Sequence, residues 1–201
     1  MGNETIHPHA TMHATAQVDP TAVVEADVMI GPGVLIGRHA TIGERVILRR
    51  DAKVGEYARV HAGASVGQGA EIGPGARVGI KAMVGAKVLM GVRANLGNRA
   101  MLGDGVHVED RATVGDRATL RQGVHVGPGA RIGDRCQIGK IVQVGSGAKF
   151  GIRVGVGAES VIGPDAVIGN RALIGRRARV AKGATVPSRG LVGDLDKVRN
   201  I

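Results

Sequence analysis

A six-residue apolar period runs through this sequence and restricts the possible folds more than any other feature. Starting at Ile6 and stepping by six, every position up to Val186 is apolar, which gives 31 positions without an interruption. Four residues after each of the first 30 lies a small or thin side chain, Ala in 20 cases and Val in eight. The residue directly after the apolar position is Gly in 21 of the 31 hexads. An α-helix with 3.6 residues per turn would spread such a repeat around its whole circumference, so the period excludes a helical fold.

A β-strand that turns a corner every six residues keeps the apolar and the small side chains inside, with Gly, Asp and Asn at the bends. Three such segments close an 18-residue triangular coil, and coils stack at the ~4.8 Å spacing of neighbouring strands. The sequence therefore predicts an all-β fold, a single-stranded parallel β-helix shaped as a triangular prism of about ten coils. We place this β-helix at residues 1–187 and a short C-terminal tail at residues 188–201.

The composition fits a core of small aliphatic side chains. Of the 201 residues, 34 are Gly, and Trp, Tyr and Phe together number two, which excludes a core built on aromatic residues. No run approaches the ~20 apolar residues of a transmembrane helix, and residues 1–13 lack the basic and apolar regions of a signal peptide. The single cysteine, Cys136, falls on an inward small position, where it is interpreted as packing. These features predict a cytoplasmic protein.

Several segments resemble the hexapeptide repeat of left-handed parallel β-helix proteins, namely residues 30–35 (IGPGVL), 132–137 (IGDRCQ) and 168–173 (IGNRAL). Residues 6–10 (IHPHA) are similar to the first coil of acyltransferases in that superfamily, and residues 184–193 (ATVPSRGLVG) resemble the tail after their last coil. The resemblance implies a left-handed helix, an exception to the right-handed crossover rule, and a homotrimer. It also implies an acyltransferase that uses acetyl-CoA or another acyl-CoA as co-substrate and a small amine or hydroxyl as acceptor.

Two departures from the acyltransferase pattern keep a second class of function open. The hexad register never slips between Ile6 and Val186, whereas the transferases usually interrupt the prism with a long loop over the neighbour's active site. Residues 194–198 (DLDKV) stand where the family usually has a Pro-Ala-Lys stretch, so no cofactor-binding residue is carried over. The alternative is a non-catalytic structural or scaffolding β-solenoid, either natural or idealised by engineering.

Residues 18 apart in sequence stack above one another, so the outward positions form columns. One outward column is largely apolar and predicts an interface between subunits, because a continuous apolar stripe on a polar surface marks a contact site. The alternative interpretation is scattered surface Met and Ile side chains. The apolar members of this column include Met29, Ile47, Met83, Met101 and Leu173. In a homotrimer, a three-fold rotation would join this column to a different face of the next subunit.

The corresponding column on a second face contains His107 and His125 in adjacent coils, about 4.8 Å apart. Glu109 lies two residues after His107 on the same outward side, and Arg121 is nearby on another face. In the acyltransferases a histidine at a subunit seam is the general base that activates the attacking amine or hydroxyl. By this resemblance His107, His125 and Glu109 are the candidate catalytic residues. The alternative interpretation is two surface histidines in a permissive column.

His61 occupies a position where Gly is normal. Residues 48–51 (LRRD), followed by Val60 and His61, resemble the Arg-x-Asp stretch of γ-class carbonic anhydrases, which share the fold. The zinc of those enzymes needs three converging histidines, and no other His lies one hexad to either side of His61. No metal site is therefore predicted, and this relationship is a minor alternative. A surface or capping role is expected for His7, His9, His13 and His39.

Lysine and arginine outnumber the acidic residues 27 to 17, and the resulting net charge of +10 favours an anionic partner.

One corner column is mostly basic, although Glu44, Asp116 and Asp134 precede three of its residues and offer partial neutralisation. Ile80 and Ile152 break the polar pattern of this corner. The column predicts an anion-binding ridge or a solvated edge. Nucleic acid is not an expected partner, because aromatic stacking residues and DNA-reading motifs are lacking. The column comprises Arg45, Gly63, Lys81, Arg99, Arg117, Arg135, Arg153 and Arg171.

Overall fold

A computed structural model describes residues 5–199, which form a parallel β-helix built of two-residue strands. Each hexad contributes one strand, consisting of an outward residue and the inward apolar residue that follows it, as in Met29–Ile30. Three strands and three turns complete a coil. Strand pairs join residues 18 apart in sequence, as Met83 pairs with Met101. The structure thus confirms the all-β fold and the stack of about ten triangular coils of 18 residues.

The strands stack into three parallel sheets, which form the faces of the prism. The methionine face contains Thr11–Met12, Met29–Ile30, Ile47–Leu48, Ser65–Val66, Met83–Val84, Met101–Leu102, Thr119–Leu120, Gln137–Ile138, Gly155–Val156, Leu173–Ile174 and Leu191–Val192. The histidine face contains Gln17–Val18, Leu35–Ile36, Lys53–Val54, Glu71–Ile72, Leu89–Met90, His107–Val108, His125–Val126, Gln143–Val144, Val161–Ile162, Arg179–Val180 and Lys197–Val198. The basic face contains Val23–Val24, Thr41–Ile42, Arg59–Val60, Arg77–Val78, Asn95–Leu96, Thr113–Val114, Arg131–Ile132, Lys149–Phe150, Val167–Ile168 and Thr185–Val186.

The interior is filled by the two inward positions of each hexad, the large aliphatic and the small residue. Ala40 and Ile42, for example, are both 0% exposed. Ser160 takes one of the small positions, and its hydroxyl donates a 2.7 Å hydrogen bond to the carbonyl of Gly175. Cys136 takes another, and burial raises the pKa of its thiol to about 11. Cys136 is 0% exposed, which confirms that it packs in the core, and the raised pKa disfavours the reactive thiolate.

The turns depend on a left-handed backbone conformation at a fixed position. From Asp27 to Leu195, every sixth residue has a positive φ, between 53° and 69°. Only nine of these residues are Gly, whereas 20 are not. The left-handed conformation sends the N–H of this residue to the turn carbonyl of the preceding coil, as from Arg99 to Ile80 at 2.9 Å. It costs a non-glycine residue roughly 1–2 kcal/mol.

Most of the glycines are required by the close approach of successive coils, and not by conformational freedom at the bends. The 21 glycines that follow the inward aliphatic residues do not have a positive φ in this structure. They lie where the next coil passes closest, and a Cβ on Gly67 would overlap the carbonyl group of Gly85. The prediction that Gly marks the bends is therefore correct for nine positions and wrong for these, since close approach between coils excludes a side chain there.

Aspartate and asparagine at the first turn position link successive coils. The side-chain oxygen of Asn98 accepts the backbone N–H of Ile80 at 2.8 Å, and Asp116 accepts that of Asn98 at 2.7 Å. Asp134 accepts the N–H of Asp116 at 2.9 Å. Asp116 and Asp134 thus accept backbone N–H groups, and within residues 5–199 neither forms an ion pair with the arginine that follows it. Of the three expected acidic neighbours, Glu44 does pair with its arginine, Arg45, at 3.7 Å.

The coils continue past residue 187. Leu191–Val192 pairs with Leu173–Ile174, and Lys197–Val198 pairs with Arg179–Val180. These strands form because Val192 and Val198 maintain the apolar period. The predicted tail, 188–201, therefore contains two strands, while residues 1–4 and 200–201 lie outside the described residues. Within residues 5–199 no helix could cross a lipid bilayer.

Candidate active site

The three candidate catalytic residues lie together on the histidine face. His107 and His125 are register partners in adjacent strands, with ring centroids 6.0 Å apart and ring planes inclined by 58°. Nε2 of His125 lies 3.7 Å from Oε1 of Glu109, an ion-pair distance when the imidazole is protonated. The side chains of His125 and Glu109 are 46% and 42% exposed. The fold thus assembles a cluster of two imidazoles and one carboxylate that is accessible to solvent.

The side chain of Glu109 can extend to His125 because it lies in a column of glycines. It occupies the position after an inward aliphatic residue, where the histidine face otherwise carries mostly Gly. The neighbours above and below it, Gly91 and Gly127, have no side chains to confine its carboxylate. Glu109 can therefore extend along the face towards His125 in the next coil. The members of this glycine column are Gly37, Gly55, Gly73, Gly91, Gly127, Gly145 and Gly163.

A groove of about 370 Å³ on the histidine face leads to this cluster. It is lined by Gly73, Leu89, Gly91, His107 and Glu109, among others. Lys53 and Glu71, which form a 2.8 Å ion pair, also line this groove. His125 is not among the lining residues. The groove can hold a small elongated molecule with one end against His107 and Glu109.

The predicted interface residues share the methionine face and are exposed in the single chain. Met29, Met83 and Leu173 are each more than half exposed, and Ile47 and Met101 are 38% and 45% exposed. Exposed apolar side chains in one straight column form the kind of patch that other molecules cover.

Beside this column runs a larger groove, of about 960 Å³, that sequence reasoning missed. It is lined by Gly67, Gly85 and Gly103 and by the side chains of Arg49 and Arg121, among others. Both arginines stand in the glycine column of the methionine face, four coils or about 19 Å apart. The sequence does contain a signal for this groove. Two arginines interrupt a column of glycines, and the glycines between them leave an open space with a positive charge at each end.

His61 is exposed on the basic face, where Gly43 and Gly79 occupy the same position in the adjacent coils. Among residues 5–199, no group of three or more His, Cys, Asp and Glu side chains is arranged to hold a metal ion. The structure does not bring His61 to the His107 and His125 cluster, which lies on another face.

The other histidines make local contacts at the N-terminal end of the prism. His7 and His9 lie edge to face, with ring centroids 5.1 Å apart. Nδ1 of His13 is 2.9 Å from Oγ1 of Thr15, which lies two residues later in the chain. His39 packs against Tyr57 with ring centroids 4.9 Å apart. These contacts lie far along the prism from His107 and His125.

Comparisons with known proteins identify a family and relatives of the same fold. The family model for the GMPPB C-terminal domain matches residues 6–120, which is more than half of the chain. No protein with a curated description has a significantly similar sequence.

Among solved structures, LpxA from Acinetobacter baumannii superposes with a TM-score of 0.54 at 24% identity, over 81% of this chain and 66% of that one. The UDP-N-acetylglucosamine O-acyltransferase LpxA from Moraxella catarrhalis gives 0.51 at 22% identity, over 91% and 71%. The chain thus spans about two-thirds of the length of these two proteins, and they share its fold.

Proposed function

Since this chain belongs to the GMPPB C-terminal domain family and shares the fold of the LpxA proteins, we propose that it is an acyltransferase of the hexapeptide-repeat, left-handed β-helix superfamily. In this proposal it transfers the acyl group of an acyl-CoA to a small amine or hydroxyl. The observation that carries the proposal is the cluster of His107, His125 and Glu109 at the end of the histidine-face groove. The acyltransferase activity named for the LpxA proteins of similar fold supports it.

The chemistry needs a base that is neutral before the reaction and close to the acceptor. In our proposal His125 removes the proton from the amine or hydroxyl as that group attacks the thioester carbonyl carbon. The carbon–sulfur bond then breaks, and the departing thiolate takes the proton back from the imidazolium. Glu109, 3.7 Å from Nε2 of His125, stabilises the transient imidazolium charge. His107 lines the groove and contacts the acceptor.

We further propose that the active form is a homotrimer in which the methionine face of one copy meets the histidine face of the next. Met83 and Met101 would then be buried, which removes an exposed apolar stripe from water. In an arrangement with three-fold symmetry, equal residue numbers lie at equal heights. Arg121, four residues before His125, would therefore lie within about 1 Å of the height of His125 in the next copy.

This arrangement places the methionine-face groove against the histidine cluster. The apolar column of the groove suits an acyl chain and the pantetheine arm, while Arg49 and Arg121 suit the phosphates of CoA. In the proposed seam, each copy supplies the CoA groove for one site and the base for another.

Calorimetric titration with acetyl-CoA at physiological salt tests the proposal, with inorganic pyrophosphate as a control for charge attraction. We expect saturable binding near one CoA per chain that pyrophosphate does not reproduce. Arg49→Gln with Arg121→Gln should weaken CoA binding at least tenfold, whereas the matched pair Arg93→Gln with Arg111→Gln should leave it unchanged. Absence of binding at millimolar acetyl-CoA overturns the proposal.

The role of the histidines is tested by turnover. His107→Ala with His125→Ala should abolish acyl transfer while the mass of the assembly stays the same. His125→Ala alone should lower kcat with little change in KM for acyl-CoA, because it removes the base and not the CoA groove. Retained turnover in the double variant would place the base elsewhere.

A second candidate function is a non-catalytic β-solenoid that mediates assembly. The observation that favours it is the uninterrupted stacking of coils through residues 5–199, with no inserted loop to cover a substrate. If acetyl-CoA does not bind while the methionine face still assembles copies, this second function replaces the first.

A further inference from the structure

The three corners of the prism provide a comparison within one molecule. Each corner repeats the same turn, and the same residue of each turn has a left-handed conformation. Differences in composition between the corners therefore do not come from the backbone. A general enrichment in arginine would affect all three corners equally.

The cations are concentrated at one of the three corners. The corner between the basic face and the methionine face, here called the arginine corner, has Lys or Arg at eight of its ten left-handed positions. The corner between the methionine and histidine faces has two in ten, Lys87 and Arg177, and the remaining corner has two in nine, Arg93 and Arg111. The eight cations of the arginine corner are Arg45, Lys81, Arg99, Arg117, Arg135, Arg153, Arg171 and Arg189.

These cations are placed where a smaller residue would be more stable. Gly, Asn and Asp adopt the left-handed conformation at lower cost than Lys or Arg, and Gly fills eight of the 19 left-handed positions at the other two corners but only one of the ten at this corner. Seven cations from Lys81 to Arg189 occupy consecutive coils, a row about 29 Å long at the ~4.8 Å coil spacing. Repulsion between the cations adds to this conformational cost, so two separate effects of the row destabilise the folded protein.

The row is free to bind an external anion. All seven side chains from Lys81 to Arg189 are exposed, and none forms an ion pair or a side-chain hydrogen bond within residues 5–199. Asp116 and Asp134, which directly precede two of these arginines in the chain, accept backbone N–H groups. The adjoining basic face adds four exposed cations, Arg59, Arg77, Arg131 and Lys149.

Two exposed isoleucines interrupt the polar character of the same corner. Ile80 and Ile152 are each 47% exposed, and they directly precede Lys81 and Arg153 in the chain. They lie four coils apart on the same edge. A straight row of cations with apolar side chains beside its charges is the combination that binds the interface of an anionic bilayer, where charge attracts and apolar groups insert.

We propose that the arginine corner binds the surface of an anionic lipid bilayer, with the cations against the headgroups and Ile80 and Ile152 inserted between them. The shape of the site favours a bilayer over a nucleic acid. The corner is a convex edge that a flat surface can contact along its whole length. The only two aromatic residues lie elsewhere, since Phe150 is buried and Tyr57 is on a different corner, so bases would have no stacking partner.

The proposal is independent of the enzymatic function. The arginine corner borders the methionine face, yet its cations lie on the outer edge and not in either groove. In the proposed trimer the methionine and histidine faces are covered, and the basic face with its arginine corner stays outside. Bilayer binding therefore does not require the His107 and His125 cluster, and its failure would leave the acyltransferase proposal untouched.

Vesicle sedimentation of the 201-residue protein tests the inference. Vesicles of phosphatidylcholine alone are compared with vesicles containing 30% phosphatidylserine, in a series of salt concentrations. We expect binding to the anionic vesicles only, with an affinity that falls as salt rises. The ridge variant combines Arg117→Asn, Arg153→Asn and Arg171→Asn. Because Asn tolerates the left-handed conformation, this variant should fold, and it should lose roughly 100-fold in vesicle affinity.

The matched control combines Lys87→Asn, Arg93→Asn and Arg111→Asn. These three residues are also exposed, unpaired within residues 5–199 and left-handed, and their replacement changes the net charge by the same amount. The vesicle affinity of this control variant should fall less than threefold. A third variant, Ile80→Ser with Ile152→Ser, should weaken binding at high salt more than at low salt, since insertion is less screened than charge attraction.

Three results would overturn the proposal. The first is no binding of the wild type to anionic vesicles. The second is an equal loss in the ridge and control variants, which would show attraction by net charge alone. The third is binding of a single-stranded RNA homopolymer that requires the ridge and exceeds vesicle binding, which would assign the corner to nucleic acid.

Discussion

The backbone N–H of Asn98 donates a 2.7 Å hydrogen bond to the carboxylate of Asp116 in the next coil. Asp116 in turn donates its own N–H to Asp134, so each side chain closes the turn below it. These bonds satisfy turn N–H groups that the strand ladders leave unpaired.

Removal of one link should be measurable as lost stability. Asp116→Ala deletes the acceptor for the N–H of Asn98, and we expect the free energy of unfolding to fall by about 1–2 kcal/mol. Asp116→Asn keeps an acceptor oxygen in the same place, as Asn98 and Asn170 already provide, and should lose less than half as much. Urea denaturation of both variants gives the comparison. Equal losses would mean that the charge matters and not the hydrogen bond.

Two glycines of one hexad should respond differently to the same substitution. In Gly67→Ala the new Cβ overlaps the carbonyl group of Gly85, so the coils must separate locally, and we expect a loss of about 3 kcal/mol. In Gly69→Ala the new Cβ meets only Cγ of Lys87, at 3.9 Å, and the cost is the left-handed conformation, about 1 kcal/mol. Thermal unfolding of the two variants checks the order, and a reversed order would contradict the close approach.

Ile141 is a β-branched residue in the left-handed conformation, with φ of 58°, and it is 60% exposed. Ile141→Gly removes the strain and gives up only the covered part of a mostly exposed side chain, and we expect the free energy of unfolding to rise by about 1 kcal/mol.

Ile152 provides the control for this substitution. It is also an exposed turn isoleucine, but its φ is not positive. Ile152→Gly should therefore destabilise by about 0.5–1 kcal/mol through the entropy of the unfolded chain. Parallel urea titrations compare the two, and destabilisation by both would argue against strain at Ile141.

Charge on the methionine face should dissociate the proposed trimer. Met83→Glu with Met101→Glu places two carboxylates in the seam, where burial without partners is costly. Light scattering should change from the mass of three chains to that of one, 20.6 kDa. The control pair Val23→Glu with Val167→Glu alters exposed residues of the basic face and should leave the assembly intact. An undisturbed mass in the methionine variant would remove this face from the interface.

Stability should fall at alkaline pH because of Cys136. Burial raises the pKa of its thiol from 9.0 to about 11. Between these values the unfolded chain releases the thiol proton while the folded chain keeps it, so the free energy of unfolding falls as pH rises. The loss should reach about 2 kcal/mol by pH 11.

Cys136→Ala isolates this contribution, because Ala is the usual residue at the inward small position. The two proteins differ at no other ionisable group, so the difference between their pH profiles belongs to the thiol. Denaturation at pH 8, 9, 10 and 11 measures it, and parallel profiles would contradict the burial effect.

The repeat predicted the fold because its period maps directly onto pairing. Every inward residue from Ile6 to Val186 could be assigned from sequence, and so could the pairing of His107 with His125, since residues 18 apart are neighbours. The roles of Gly67 and Asp116 could not be predicted from the sequence, because they depend on how closely successive coils approach each other at one point of the turn. The groove between Arg49 and Arg121 was missed for a similar reason, since it exists only because the residues between the two arginines in that column are glycines without side chains.

The stacking of coils also determines which changes in length this chain can tolerate. Duplication or loss of six residues would preserve every inward position, yet it would move each later column to a different face and separate His107 from His125. A change of 18 residues would preserve the columns as well. The core therefore tolerates insertions and deletions only in multiples of six residues. The surface columns that carry chemistry and contacts tolerate them only in multiples of 18.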